Sequence, residues 1–234
     1  MGKYIIPLLI IFIACLILGY CTTGDLIHPK AAIEQTPSNL NQPLFRINLI
    51  MVYVDDLTNH TPDLLSVWGV FLNIDMNNSM EIAYKPLFPV PGSPNVNVEI
   101  DNLFYLDSQD NLSPQFQQYL AETYSFPWDN YIVLDGRAVI ILSDWITGMP
   151  AEIQSDKPIN AVEEQALIDE QETLLLDICQ SLTQENLQDK SPLNWQKVLP
   201  AHFLTNQSER TLLDNWALII KAVKPTKCKI LPDH

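Results

Sequence analysis

Three aspartates beside the first apolar segments of the chain are its clearest candidates for chemistry. Asp55 and Asp56 follow the run LFRINLIMVYV, and Asp63 precedes the run LLSVWGVFLNI. If both runs are strands, the three carboxylates lie at neighbouring strand ends. There they could share one Mg²⁺ or Ca²⁺, because these hard cations prefer oxygen ligands. Aspartate is also common in ordinary turns, so the metal site and the turn remain alternatives.

The chain has four cysteines and four histidines. Cys15 and Cys21 lie in the N-terminal segment, which leaves Cys179 and Cys228 in the remainder of the chain. In an oxidising compartment these two could form a disulfide, and the alternative is a pair of buried free thiols. The histidines lack zinc-type spacing. The sequence contains no dinucleotide fingerprint, P-loop or nucleophile elbow.

The composition sets the protein class and excludes some partners. The 234 residues are 47% hydrophobic and 18% charged, with a formal net charge of −15. These proportions are typical of a globular protein with a sizeable core. No stripe of Lys and Arg is present, so nucleic acid is excluded as a partner. The same negative charge argues against an electrostatic grip on anionic lipid headgroups or polyphosphates.

The N-terminus has the pattern of an exported, membrane-tethered protein. Residues 4–20 carry no charge, so residues 1–21 predict a secretory signal or a membrane anchor. Cys21 has leucine at −3 and glycine at −2, as in a bacterial lipoprotein processing site, although tyrosine at −1 replaces the usual small residue. A lipidated Cys21 and an uncleaved anchor are the alternatives. Both place the protein on the extracytoplasmic face of the cytoplasmic membrane, beyond a polar linker at residues 22–44.

Residues 45–234 alternate between strand and helix patterns. Three apolar runs between residues 44 and 90 predict three strands, and the Asn-Asn-Ser turn at 77–79 makes the second and third a hairpin. A fourth strand is predicted for NYIVLD and a last one for KCKILP. Helix N-caps are predicted at Ser113, Asp135, Asn160 and Ser208. The order predicts a layered α/β/α sandwich with a mixed central sheet.

Within this predicted order of strands and helices, one stretch resembles the LytR-CpsA-Psr family of bacterial cell-wall proteins. It is DNYIVLDGRAVIILSDWITGMP at 129–150. Asp144 and Gly148 fall where the family has Asp and Gly in its Asp-x-x-Gly-Gly-Val turn. The run INLIMVYVDD at 47–56 is similar to the family's first strand, and 205–219 to its late helix. The resemblance covers residues 45–234.

The resemblance implies a function as well as a fold. Family members face outward from an N-terminal membrane segment and bind polyprenyl-pyrophosphate-linked glycopolymers in a deep apolar pocket. They transfer a glycosyl phosphate to peptidoglycan or a comparable acceptor, with Mg²⁺. In the family, arginines grip the pyrophosphate and aspartates hold the metal, which the resemblance carries to Asp55, Asp56 and Asp63 here.

The family's arginines are missing from this chain. The family's Arg-Ser-Asp reads Thr-Pro-Asp at 61–63, and its Ser-Ile-Pro-Arg-Asp reads Tyr-Lys-Pro-Leu-Phe at 84–88. Its Arg-x-x-Arg-Gln falls near LIDEQE at 167–172, where acids stand in place of arginines. Pyrophosphate recognition needs paired guanidinium donors, which lysine supplies less well. Lys85 and Arg137 are the nearby cations that could bind phosphate, and a solvent-facing role is the alternative for Arg137.

We therefore predict a divergent, catalytically degenerate member of this family, linked to the attachment of cell-envelope glycopolymers. It would hold an isoprenoid or glycan chain, or would scaffold an active paralogue. One alternative is an active Mg²⁺-dependent glycopolymer phosphotransferase that uses polyprenyl-pyrophosphate donors and cations from elsewhere in the fold. Another is an unrelated α/β surface lipoprotein that binds a protein partner. An apolar tunnel at the ends of the first strands would exclude the last alternative.

Overall fold

A computed structural model describes residues 45–77, 79–151, 156–182, 193, 197–221 and 223–232. The predicted signal or anchor at 1–21, with Cys21, and the predicted linker at 22–44 lie outside the described residues. The centre of the described part is a six-stranded sheet with strand order β5-β4-β1-β2-β3-β6. The strands are β1 (Phe45–Val54), β2 (Leu64–Ile74), β3 (Ser79–Phe88), β4 (Asn130–Asp135), β5 (Phe203–Thr205) and β6 (Val223–Ile230).

Strand directions make the sheet mixed. β1, β2 and β3 form an antiparallel meander, whereas β4 runs parallel to β1 and β6 parallel to β3. The β2–β3 turn is fixed by Asp75, whose Oδ1 accepts the backbone N–H groups of Asn77 and Ser79 at 2.8 Å each. The parallel β1–β4 pair brings Val54 beside Asp135, so the carboxyl ends of both strands meet at one edge.

Helices cover both faces of the sheet within the described residues. They are α1 (Pro94–Leu103), α2 (Pro114–Tyr124), α3 (Gly136–Thr147), α4 (Ala161–Ser181) and α5 (Glu209–Lys221). Because successive strand residues point to opposite faces, β2 packs Val67 against the α1–α2 side and Trp68 against the α4 side. The predicted α/β/α sandwich with a mixed sheet is confirmed.

The helix starts follow the capping residues read from the sequence. The side chains of Ser113, Asp135 and Asn160 each accept backbone N–H groups from the first turn of α2, α3 and α4. Ser208 Oγ accepts the N–H of Thr211 at the start of α5. α3 ends at Gly148, which adopts the left-handed conformation with φ of 80°. Local chemistry therefore decides where these helices begin and end.

Helix α1 and strand β5 are not predicted by the sequence pattern. α1 begins at Pro94 without a side-chain hydrogen bond from its N-cap, Ser93. It is held instead by Asn97, whose side chain binds both the N–H and the C=O of Val90. β5 is only three residues long and is defined by its pairing with β4. Both elements depend on tertiary contacts that periodicity does not encode.

Cys179 on α4 and Cys228 on β6 are joined by a disulfide, with their Cα atoms 6.1 Å apart. Of the two alternatives left open by the sequence, the structure therefore has the disulfide. The bond ties the longest helix to the last strand of the sheet. None of the described helices has the length and hydropathy of a membrane span.

Candidate functional site

An apolar cavity of about 300 Å³ lies between the sheet and helices α3, α4 and α5. Strand alternation builds its floor, because every second residue of β1 and β2 faces it. These floor residues are Leu49, Met51, Tyr53, Ser66, Trp68 and Val70. The volume is at the lower end of the range of small-molecule sites.

The helices supply the roof of the apolar cavity. α3 contributes Val139, Leu142 and Ile146, α4 contributes a stripe that includes Leu174 and Ile178, and α5 contributes Trp216. Residues three or four apart on a helix share a face, which explains why these side chains meet over the sheet. Among the residues that the structure describes, none that lines the cavity is charged.

A few uncharged polar groups interrupt the lining. The indole N–H of Trp68 donates to Oε1 of Gln171 at 2.7 Å, and this bond is buried. Burial raises the pKa of Tyr84, and burial together with nearby carboxylates, Asp135 first, raises the pKa of Tyr53. Both phenols are therefore neutral at physiological pH. Ser66 is fully buried, and its Oγ has no hydrogen-bond partner among the described residues.

The three aspartates that the sequence analysis names lie in and beside one turn between β1 and β2, where the carboxylates of Asp55 and Asp56 accept hydrogen bonds. Asp55 Oδ1 accepts the backbone N–H of Asp63 at 2.8 Å. Asp56 Oδ1 accepts the Thr58 hydroxyl at 2.7 Å and the Thr58 N–H at 2.9 Å, which lowers the pKa of Asp56. Within the described ranges, no three His, Cys, Asp or Glu side chains are grouped for a metal ion. Mg²⁺ binding by Asp55, Asp56 and Asp63 therefore stays a prediction, because their side chains are not grouped around one point.

The two proposed phosphate-binding cations are not part of the apolar cavity lining. Lys85 pairs with Gly69 across β2 and β3, on the face opposite Trp68 and Tyr84. It is 8% exposed, and its Nζ lies 5.5 Å and 5.8 Å from the ring centroids of Tyr124 and Phe126. These are cation–π contacts. Arg137 is exposed in the first turn of α3.

The positions where the family has reacting groups are packed apolar positions here. Leu87 is fully buried and Phe88 is 5% exposed, and both belong to the core beneath α1 and α2. Tyr124 donates its phenolic O–H to the backbone carbonyl of Leu87, which fixes the end of β3. Gln171, which matches the family's glutamine, does line the apolar cavity. The last two residues of β3 are therefore packed in the core, and neither carries a charged group.

The sequence pattern does not predict an Asp–His pair at the β1–β4 edge, in which the aspartate is buried and the histidine is partly exposed. Asp135 is 2% exposed, and its Oδ1 accepts the N–H of Ala138 as the cap of α3. Its Oδ2 contacts His202 Nδ1 at 2.7 Å and accepts the N–H of Leu57 at 3.3 Å. The sequence pattern predicts Asp135 as the cap of α3. It does not indicate His202 as a partner, because the two residues are 67 positions apart.

Comparisons with known proteins give structural matches only. No family model matches the chain, and no curated protein matches it. One similar solved structure is TagT bound to LI-WTA, at 10% identity and TM-score 0.45, covering 87% of each chain. A second is TagV from Bacillus subtilis, at 12% identity and TM-score 0.45, covering 81% of this chain and 85% of that one. A third is the transcriptional regulator yvhJ from Bacillus subtilis, at 13% identity and TM-score 0.45, covering 81% of this chain and 83% of that one. TagT and TagV are members of the LytR-CpsA-Psr family, which the sequence resembles.

Proposed function

We propose that this protein is a catalytically degenerate LytR-CpsA-Psr-type protein of the cell envelope that binds the apolar chain of an amphiphile. The observation that carries the proposal is the apolar cavity of about 300 Å³, lined by no charged side chain among the described residues. The ligand class suggested by the sequence resemblance is an isoprenoid-linked glycan. In this proposal the chain lies in the cavity and its polar head lies outside.

The lining supports an apolar occupant. Transfer of hydrocarbon from water into an apolar enclosure is favourable roughly in proportion to the area removed from water, about 25 cal/mol per Å². Side chains of four strands and three helices line the cavity, so a bound chain would exchange contact with water for contact with apolar side chains. A pyrophosphate in the same enclosure would be strongly disfavoured, because a buried charge without a partner is costly.

Within the described ranges, neither candidate cation lines the cavity, which supports a degenerate reaction centre. Lys85 is engaged with two aromatic rings on the opposite face of the sheet. Leu87 and Phe88 fill core positions where the family has an arginine and an aspartate. Stabilising the charge of a phosphoryl-transfer transition state needs fixed cations or a metal. We therefore expect ligand binding without transfer.

An extracytoplasmic location fits the disulfide between Cys179 and Cys228. Such bonds persist in oxidising compartments and are rare where thiols are kept reduced. Attachment to the membrane through residues 1–21, by an anchor helix or by lipidation of Cys21, is part of the same proposal. An active paralogue would be the natural partner of a binding protein that does not itself transfer the glycan.

The test is a titration of the full-length chain, in detergent, with two probes that share one polyprenyl chain. One probe ends in a hydroxyl and the other in a pyrophosphate, and each is titrated with and without Mg²⁺. We expect both to bind with similar affinity and without an effect of Mg²⁺. Tighter, Mg²⁺-dependent binding of the pyrophosphate, or turnover to a phosphoryl-transfer product, would instead support the active transferase. Absence of binding by both would support the partner-binding alternative.

A further inference from the structure

A second pocket, of about 160 Å³, lies between the end of β3, helix α1 and the start of α4. This polar pocket shares no lining residue with the apolar cavity. Its polar lining consists of Asn97 and Asp101 of α1, Glu164 of α4, and Lys157 from the segment before α4. Apolar side chains that include Phe88 and Val98 complete it. Charged and apolar groups therefore line one small enclosure.

The charged groups of the polar pocket can be reached from solvent. The side chains of Asp101 and Lys157 are each 38% exposed, and Glu164 is partly buried. Lys157 Nζ donates to Asp101 Oδ1 at 2.7 Å. The chain thus already seats one primary ammonium on a carboxylate of this pocket. That contact shows a group that the pocket can hold.

The Glu164 carboxylate is oriented by a buried amide. Asn97 is 8% exposed, and its Oδ1 accepts the N–H of Val90 at 2.7 Å. Its NH₂ group donates to the Val90 carbonyl at 3.2 Å and to Glu164 Oε1 at 3.0 Å. Because these bonds fix the amide, they also fix the carboxylate. Among the described residues, Glu164 has no cation as a partner and its Oε2 accepts no hydrogen bond.

The charge of the polar pocket favours a cation. Asp101 and Glu164 contribute two negative charges and Lys157 one positive charge, which gives a net charge of −1. An ionised carboxylate accepts hydrogen bonds and donates none, so the free oxygens require a donor. Asp101 lies one helical turn after Asn97, on the same side of α1, which brings its carboxylate toward that of Glu164.

Apolar side chains extend from the polar pocket to the surface. Val98, which lines the pocket, is 60% exposed. Ile159, which follows the lining residue Pro158, is 86% exposed. Exposed apolar side chains beside a polar enclosure offer a contact surface for the stem that carries a polar group.

We propose that the polar pocket binds a primary ammonium on a short apolar stem, with the Glu164 carboxylate as its acceptor and the Asp101 carboxylate beside it. This chemistry occurs at the end of a lysine side chain and at the α-amino position of an aminoacyl group. The inference goes beyond the proposed function, since no residue of the polar pocket takes part in holding the apolar chain.

The experiment titrates matched probes against the full-length chain in detergent at constant ionic strength. One pair is N-acetyl-lysine methylamide and its analogue with a hydroxyl in place of the ammonium, and the other is alaninamide and lactamide. Inorganic phosphate is the anionic probe. The backbone N–H signals of Val98 and Asp101 in ¹H–¹⁵N spectra report binding. The lysine derivative should bind about tenfold more tightly than its hydroxyl analogue, the effect of a charge-assisted hydrogen bond. The pair with the larger preference identifies the source of the ammonium.

Two substitutions should change the affinity for the lysine derivative in opposite directions. Glu164→Gln keeps an oxygen for Asn97 and removes the charge, so it should weaken binding about tenfold. Lys157→Met keeps the stem and removes a competing ammonium, so it should tighten binding about threefold. The matched control is Asp144→Asn, at an exposed position of α3 outside the polar pocket, which should leave the affinity unchanged.

The outcomes separate this inference from the proposed function. Equal binding of the ammonium and hydroxyl probes, tighter binding of phosphate, or no binding by any probe overturns the inference. Weaker binding after Lys157→Met, or tighter binding after Glu164→Gln, overturns it as well. The polyprenyl titration tests the apolar cavity independently, so either proposal can fail alone. The comparison of probes on the unsubstituted protein decides the question even if a variant does not fold.

Discussion

At the scale of single residues, Asp135 connects three parts of the β1–β4 edge. Its carboxylate caps α3 through Ala138, holds the loop after β1 through Leu57, and contacts His202 before β5. It is 2% exposed, so water cannot replace these bonds. The residue therefore secures the carboxyl end of the parallel pair, beside the apolar cavity residues Tyr53 and Leu134.

Replacement of Asp135 by alanine should lower the free energy of unfolding by about 3 kcal/mol, the sum of a lost N-cap and further unpaired donors. Urea unfolding followed by circular dichroism measures the change. Asp144→Ala, at an exposed position of the same helix, is the control and should change stability by less than about 0.5 kcal/mol. Equal effects of the two substitutions would contradict the role assigned to Asp135.

A second residue-scale prediction concerns acid stability. The N–H groups of Asn111 and Gln109 bind Asp107 Oδ1, and they lower the pKa of Asp107 from 3.8. Because the folded-state pKa is below the unfolded one, the contribution of Asp107 is present above the unfolded pKa near 4 and is lost as the pH falls through the folded pKa. Asp107→Asn should therefore flatten the pH dependence of the urea midpoint below about pH 4. The control is Asp144→Asn, which removes one carboxylate at an exposed position where no backbone N–H binds it among the described residues.

At the scale of elements, the disulfide joins α4 to β6 across a sequence separation of 49 residues. The helix packs over the sheet through Ile168, Leu175 and Cys179, and forms part of the roof of the apolar cavity. Cross-linking it to the last strand restricts the unfolded chain and keeps the roof in place.

Reduction of the Cys179–Cys228 bond should lower the free energy of unfolding by about 4 kcal/mol, the chain-entropy value for a loop of this length. Denaturant unfolding with and without a thiol reductant measures it. The Cys179→Ser/Cys228→Ser double variant is the control, because it should show the lower stability with no further effect of reductant. A reductant effect of the same size in that variant would assign the change to another cause.

At the scale of the whole molecule, the apolar cavity depends on the layered fold. Its floor comes from β1 to β4 and its roof from α3, α4 and α5, so no local segment contains the site. The opposite face of the sheet, under α1 and α2, is a packed core that includes Leu87 and Phe88. Both faces contribute buried core residues, and the face under α3, α4 and α5 also holds the cavity that we propose as the binding site.

Filling the cavity should weaken ligand binding without unfolding the protein. Leu174→Trp introduces a large side chain into the roof, whereas Thr173→Trp introduces the same side chain at the adjacent, exposed position. The first should weaken binding of the polyprenyl probe at least about tenfold, and the second should not. Unfolding midpoints of both variants verify folding, and equal probe affinity in the two would place the binding site elsewhere.

The sequence by itself determined the strands β1 to β4, the caps at Ser113, Asp135 and Asn160, and the layered α/β/α class. These features follow from apolar periodicity and from side chains that bind their own backbone, which are local properties. The sequence also has Cys179 and Cys228 as its one pair of cysteines outside the N-terminal segment, so they are the pair that could form a disulfide.

Only the tertiary structure decided how these parts meet. It joined Cys179 to Cys228, placed Lys85 against aromatic rings instead of in the site, and paired Asp135 with His202. It also showed that Ser66, one of two small residues in an apolar run, is fully buried and that its Oγ has no hydrogen-bond partner among the described residues. Contacts between residues distant in sequence depend on which faces pack together, and residue periodicity does not specify that pairing.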